Sequence, residues 1–250
     1  MSLLSVRREG SGPTFVWLHG FTQTRDSAHD FRTILTGTRE LLTMDLPGHG
    51  SASAITTNLD QCADLVAAAL PAEPVDLGGY SMGARVALHV ALRHPDHVGR
   101  LVLLGATRGV EDHVGRAARR GHDEQLADRC ELIGADAFLD EWLARPMFAS
   151  LPGDPAERSA RSTNAHGLAE ALRLMGTGTQ SWLAARLSEI TSPVLALAGA
   201  HDPMFVVEAR AIATGVDSGA FDLIPYAGHA AHLEQPHLTA NRIDRYLALG

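Results

Sequence analysis

Apolar runs of strand length alternate with amphipathic stretches along most of this chain. Thr14-Phe-Val-Trp-Leu18, Glu40-Leu-Leu-Thr-Met-Asp-Leu46, Val75-Asp-Leu-Gly-Gly79 and Arg100-Leu-Val-Leu-Leu-Gly-Ala106 are short and mostly apolar, as strands buried on both faces are. Between them lie stretches with helical spacing: Asp26 to Leu35, Leu59 to Leu70, and a helix from Met82 that includes Arg85-Val-Ala-Leu-His-Val-Ala-Leu92. The alternation predicts an α/β fold with a mostly parallel sheet covered by helices on both faces. From Thr107 to about Arg186 the pattern changes. No strand stands out there, and helical patterns such as Ala135-Asp-Ala-Phe-Leu-Asp-Glu-Trp-Leu-Ala144 are separated by Pro146, Pro152 and Pro155. Strands resume at Val194-Leu-Ala-Leu-Ala198 and Ala220-Phe-Asp-Leu-Ile224, and a helix from Pro236 to about Leu249 closes the chain. The expected organisation is a core of residues 1–106 and 187–250 carrying a helical cap of residues 107–186.

One junction carries a chemical signal. Gly79-Tyr80-Ser81-Met82-Gly83 joins a strand to a helix and fits Gly-x-Ser-x-Gly. So tight a turn strains the serine and leaves no room for side chains two residues away on either side. It lifts the Ser81 hydroxyl out at the top of the sheet, with the helix N-terminus behind it. A serine hydroxyl needs a base to take its proton, and that base needs an orienting acid. Asp202 follows the strand Val194–Ala198, and His229 follows the strand Ala220–Ile224. The order Ser, Asp, His and the placement after strand ends predict a triad. His232 is the competing base, one turn further on; His201 and Asp222 are expected to be bystanders. His19-Gly20-Phe21 follows the first apolar run. The backbone amides of Phe21 and Met82 are the candidate oxyanion-hole donors, each typically worth about 3 kcal/mol to an oxyanion.

Composition narrows the chemistry. The chain has 250 residues, 45% of them hydrophobic, enough for one domain with a large core. All 21 basic residues are arginine, which excludes a Schiff-base lysine and a Walker P-loop. The net charge of −8 disfavours nonspecific nucleic-acid binding. Cys62 and Cys130 match no metal spacing and are expected to be buried reduced thiols. No apolar run reaches the ~18 residues of a membrane span. The first residues lack the pattern of a signal peptide, so the expected location is cytoplasmic. No metal and no organic cofactor are expected.

The set Ser81, Asp202 and His229, with His19-Gly20-Phe21 and a helical insert, resembles the α/β-hydrolase superfamily over nearly the whole chain. A narrower resemblance rests on Gly79-Tyr-Ser-Met-Gly-Ala-Arg85, Asp45-Leu-Pro-Gly-His-Gly-Ser51, Arg145-Pro-Met-Phe-Ala-Ser-Leu151 and Ala227-Gly-His-Ala-Ala-His232. Together these are similar to the MenH family, the 2-succinyl-6-hydroxy-2,4-cyclohexadiene-1-carboxylate synthases of menaquinone biosynthesis. The departure is Ala84, where that family usually has a second glycine. The resemblance implies a lyase that eliminates pyruvate from 2-succinyl-5-enolpyruvyl-6-hydroxy-3-cyclohexene-1-carboxylate, a small-molecule tricarboxylate. It implies arginine clamps at Arg85, at Arg119 (with Arg120 the near alternative) and at Arg161, and adds Tyr80, Trp142 and Phe148 to the pocket. Arg85 also stands without the resemblance: it lies one helical turn beyond Ser81, where a guanidinium suits a carboxylate substrate. The rival reading is a serine hydrolase of esters, thioesters or C–C bonds that passes through an acyl-enzyme. A non-catalytic ligand-binding protein on this fold would have no need of all three triad residues.

Overall fold

The computed structural model describes residues 3–249. The first half runs β1 (Val6–Gly10), β2 (Thr14–Leu18), α1 (His29–Thr36), β3 (Glu40–Met44), α2 (Leu59–Ala67), β4 (Val75–Tyr80), α3 (Met82–Arg93) and β5 (Val98–Leu104). Four helices follow without a strand: α4 (His113–Ile133), α5 (Ala135–Leu143), α6 (Pro155–Ser159) and α7 (Ala165–Met175). The chain then closes with β6 (Val194–Gly199), α8 (Pro203–Gly215), β7 (Gly219–Ile224), α9 (Ala231–Glu234) and α10 (Pro236–Leu247).

The seven strands form one sheet in the order β1-β3-β2-β4-β5-β6-β7. Only β1 is antiparallel, pairing along β3 from Val6 opposite Met44 to Gly10 opposite Glu40. Side chains alternate across the sheet as the pleat requires. In β2, Val16 and Leu18 point into one apolar layer with Met82, Val86 and Ile212. Phe15 and Trp17 point into the other, with Phe31 and Ile243. A third, smaller apolar cluster has its buried members, among them Ala127, Cys130, Phe138, Leu168 and Leu172, in α4, α5 and α7, with Phe21 packed against it. Among the described residues no helix is long and apolar enough to cross a membrane. Cys62 and Cys130 are free and buried, and desolvation pushes their thiols up to about 12 and about 11.

Differences from the sequence reading have local causes. β1, Val6-Arg-Arg-Glu-Gly10, has no apolar run, because an edge strand with one wet side has no need of one. Its Arg8 reaches Glu40 across the ladder at 3.1 Å. The first helix starts at His29 rather than Asp26, because residues 24–28 make a turn in which the Ser27 N–H donates to Thr24 O. α8 was not predicted; its exposed Met204 and Val207 blur any amphipathic stripe.

Register places the functional loops. Gly79 pairs with Leu18 on one side and Leu103 on the other, Leu104 pairs with Leu197, and Gly199 pairs with Ile224. The C-terminal ends of β2, β4, β5, β6 and β7 therefore share one rim, where open α/β sheets bind ligands.

Candidate active site

The turn after β4 is built by close approach. A Cβ on Gly79 would lie 2.5 Å from Gly83 C, and one on Gly83 would lie 2.2 Å from Leu18 O. With both positions bare, α3 packs directly against β2 and Ser81 is forced to φ 53°, ψ −107°. A non-glycine residue held there costs on the order of 1–3 kcal/mol, which the surrounding sheet must offset. The Ser81 N–H donates to Leu104 O at 2.8 Å, tying the strained residue to the next strand.

Ser81 Oγ lies 3.0 Å from His229 Nε2, and His229 Nδ1 lies 2.7 Å from Asp202 Oδ2. Beside a carboxylate the Nδ1–H tautomer is favoured, which leaves Nε2 free to accept the Ser81 proton. Asp202 caps β6 just before Pro203 opens α8, and its N–H donates to Gly199 O at 3.0 Å. The His201 N–H donates to Ala227 O at 2.8 Å, so the loops carrying Asp202 and His229 are pinned together. His201 supplies that backbone link, and Asp222 pairs with Arg242 at 2.7 Å, away from the triad. His232 is fully buried, with Nε2 3.1 Å from Gln23 Nε2 and its ring 4.2 Å from that of Tyr80. Its partners are not the serine, so His229 is the imidazole brought to Ser81.

Sequence reasoning missed two residues that position His229. Glu234 accepts the N–H groups of Gly228 at 2.7 Å and Ala230 at 3.1 Å, bracketing the histidine. Phe205, on α8, stacks 4.3 Å from the imidazole. Neither stands in a motif; only the fold brings them there.

The Phe21 amide follows Gly20, at which any Cβ would meet the Tyr80 ring at 2.5 Å. Neither the Phe21 nor the Met82 amide has a hydrogen-bond partner among the described residues. Two free amides beside Ser81 suit a developing oxyanion.

A cavity of about 180 Å³ opens over the serine, and Phe21, Ser81, Met82 and His229 are in its wall. Of the residues proposed from sequence, Arg85, Arg119 and Trp142 also line it. Arg85 is buried and donates from Nη1 to Met175 O at 2.8 Å and Gln180 Oε1 at 3.3 Å. Desolvation and the nearby Arg119 bring its guanidinium down to about 10, so it stays charged at neutral pH. Arg119 donates from Nε to Asp123 Oδ1 at 2.8 Å, and its side chain is 40% exposed at the mouth. Arg120 is not part of the wall. Trp142 meets Phe21 edge-on at 5.0 Å, and its buried indole N–H has no partner. Arg145, which sequence reasoning did not single out, completes the cationic lining.

Tyr80, Phe148 and Arg161 are not in that wall. Tyr80 sits under the triad with its ring 5.2 Å from that of His229, and burial raises its hydroxyl far above the usual range. It points down because its neighbour Ser81 points up out of the same turn. Phe148 packs between Trp142 and His229, at 6.0 and 6.2 Å. Arg161 is buried on the other side of the Phe21 loop, donating to Thr22 Oγ1 at 2.6 Å and paired with Glu157 at 3.2 Å. Glu157 lies in α6 and Arg161 two residues past its end, so the guanidinium reaches back to that carboxylate while its buried Nε has no partner. A second cavity, about 430 Å³, has His29, Asp30, Glu157 and His232 in its wall and no member of the triad.

A family model described as "Alpha/beta hydrolase family" matches residues 15–242. The 2-succinyl-6-hydroxy-2,4-cyclohexadiene-1-carboxylate synthase of Serratia proteamaculans (strain 568) is 30% identical, over 96% of this chain and 94% of its own length. The protein of the same name from Yersinia pestis bv. Antiqua (strain Nepal516) is 33% identical, over 98% of this chain and 90% of its own. The solved structure of MenH from S. aureus superposes with a TM-score of 0.90 at 30% identity, covering 99% of this chain and 98% of that one.

Proposed function

The chain belongs to the alpha/beta hydrolase family, and from that premise we propose that it is a 2-succinyl-6-hydroxy-2,4-cyclohexadiene-1-carboxylate synthase of menaquinone biosynthesis, a lyase rather than a hydrolase. The relatives that carry this name match it nearly end to end. The observation that carries the reading to this chain's own residues is the lining over Ser81: three arginines, Arg85, Arg119 and Arg145, face one carboxylate, Asp123. An ester hydrolase has little use for that excess of positive charge, whereas a tricarboxylate substrate supplies its complement.

In the proposed reaction Asp202 orients His229, and His229 draws the proton from Ser81. The Ser81–His229 pair then takes the ring proton next to the succinyl carbonyl. The freed electron pair builds the ring diene as the C–O bond to the enolpyruvyl group breaks. The group departs as the enolate, which takes up the proton held by His229 and becomes pyruvate. Charge that gathers on the carbonyl oxygen is met by the Phe21 and Met82 amides, and the arginines hold the carboxylates so that the proton lies within reach. No bond from Ser81 to carbon forms. We assign residues 107–186 the part of a cap over a core of residues 1–106 and 187–250; its own apolar cluster supports this.

The test is pyruvate release from the enolpyruvyl substrate, followed together with intact-protein mass. Pyruvate production with an unchanged protein mass is expected. A substrate-derived mass on Ser81 with burst kinetics would favour the acyl-enzyme hydrolase instead.

A further inference from the structure

We propose that Arg145 is a carboxylate-binding residue of this site. The proposal rests on the polycarboxylate reading above. Arg145 lies in the segment between α5 and α6 and shares the cavity wall with Ser81 and His229. Its guanidinium carbon sits 4.5 Å from the centre of the Trp142 ring. That cation–π contact anchors the guanidinium without using any of its N–H donors.

The other pocket arginines are differently engaged. Arg119 has Asp123 and Arg85 has two oxygens of the cap segment. The Arg145 guanidinium has neither a carboxylate nor a hydrogen-bond acceptor among the described residues. It is half-buried beside Arg119, and desolvation together with that like charge lowers its pKa, an effect Asp123 only partly offsets. A partly desolvated cation with all its donors free, facing a reactive serine, is complete only when an anion enters. A planar carboxylate matches the fork of a guanidinium that is already anchored. Arg161 has its two terminal nitrogens on Thr22 and Glu157, and only its buried Nε is without a partner. Arg145, in the Arg-Pro-Met-Phe turn, therefore adds a free guanidinium to the wall that holds Arg85 and Arg119.

Steady-state kinetics of pyruvate release test this with Arg145→Gln and Arg145→Lys. Loss of a charge-assisted contact to bound substrate lowers kcat/KM by roughly tenfold to a hundredfold. For Arg145→Gln that loss should appear mainly in KM, with the thermal midpoint little lowered, because only the contact with the Trp142 ring is lost. Arg145→Lys should recover part of it, since an ammonium keeps the charge but not the fork. Should Arg145→Gln fail to fold, the lysine variant still reads the KM shift. Wild-type KM in both variants, in a protein that releases pyruvate, overturns the role of Arg145 and leaves the lyase reading standing. No pyruvate from the wild-type protein overturns the lyase reading itself.

Discussion

Gly105 forms the floor on which the His229 ring rests: a Cβ at this position would lie 3.1 Å from Cε1 and 3.4 Å from Nδ1 of the imidazole. Gly105 follows β5 directly at φ +63°, and its N–H donates to Leu197 O at 2.9 Å. The imidazole proposed as the base is thus levelled by a residue with no side chain. Gly105→Ala should tilt the ring away from Ser81 and cost about 1 kcal/mol of backbone strain. The expected result is a kcat lower by tenfold or more (about 1.4 kcal/mol in the barrier) with KM little changed. An unchanged kcat would mean that the imidazole has slack the packing does not suggest.

Ser81→Ala, Asp202→Asn and His229→Ala should each remove most turnover, and double variants should be little worse than single ones, because the three residues act as a unit. His232→Ala should behave differently. His232 is buried against Tyr80 and Gln23, so its loss opens a cavity and lowers stability by a few kcal/mol while leaving residual catalysis in the protein that folds. Measuring both the chemical-denaturation midpoint and kcat separates the cases. If His232→Ala abolished kcat at wild-type stability, the base would have to be reassigned.

The parts of this molecule legible in the sequence are those where one local rule dominates. The glycines around Ser81 announce the turn because no other residue fits it, and β5 and β6 announce themselves because the buried runs Leu101-Val-Leu-Leu104 and Val194-Leu-Ala-Leu-Ala198 are apolar. Asp202 and His229 could be read because strand ends in this topology share a rim. What long-range packing decides was not legible. Glu234 and Gly105 serve His229 only through folded contacts, and Arg145 needed the cavity to be seen before its missing partner meant anything. Arg161 went to another partner because Glu157, one turn before it, competes for the same guanidinium.

Arg119 and Arg161 should therefore differ in their effect on KM. Arg119→Ala removes a partly exposed clamp at the mouth. Its expected effect is about a tenfold rise in KM together with some loss of stability, because buried Asp123 is left with only the Gly178 N–H at 3.4 Å. Arg161→Ala leaves Glu157, 10% exposed, as a buried carboxylate without its cation. Breaking such a pair costs about 3–5 kcal/mol. Glu157 keeps the N–H of Ala28 at 2.7 Å and the Gln23 amide at 3.2 Å, which places the loss toward the lower end. Denaturation curves and KM for the two variants check this. An Arg161→Ala protein of normal stability but raised KM would return Arg161 to the substrate.

A final prediction concerns acid. His19 and His49 are buried with rings 5.1 Å apart under the Phe21 loop. Each holds two backbone groups in the neutral state. His19 donates from Nδ1 to Gly20 O at 2.8 Å and accepts the Leu46 N–H at 3.0 Å. His49 donates from Nδ1 to Pro47 O at 3.0 Å and accepts the Thr22 N–H at 3.2 Å. Protonation puts a second N–H on Nε2 and expels the backbone donor from each. Desolvation accordingly lowers both pKa values, and that of His49 falls from 6.5 to about 3, with His19 adding to its shift. The unfolded chain then binds more protons than the folded one between those two values, so stability is lost as pH falls through that window. At about pH 5 the loss from His49 alone is about 2 kcal/mol relative to neutral pH. His49→Gln keeps a donor and an acceptor but cannot titrate. It should be somewhat less stable than wild type near pH 7 and should lose less on acidification. Thr22 adjoins Phe21, so wild-type turnover should decline over the same range as its denaturation midpoint. Equal acid sensitivity of the two proteins, in urea midpoints taken near pH 7 and near pH 5, would place the acid-labile group elsewhere.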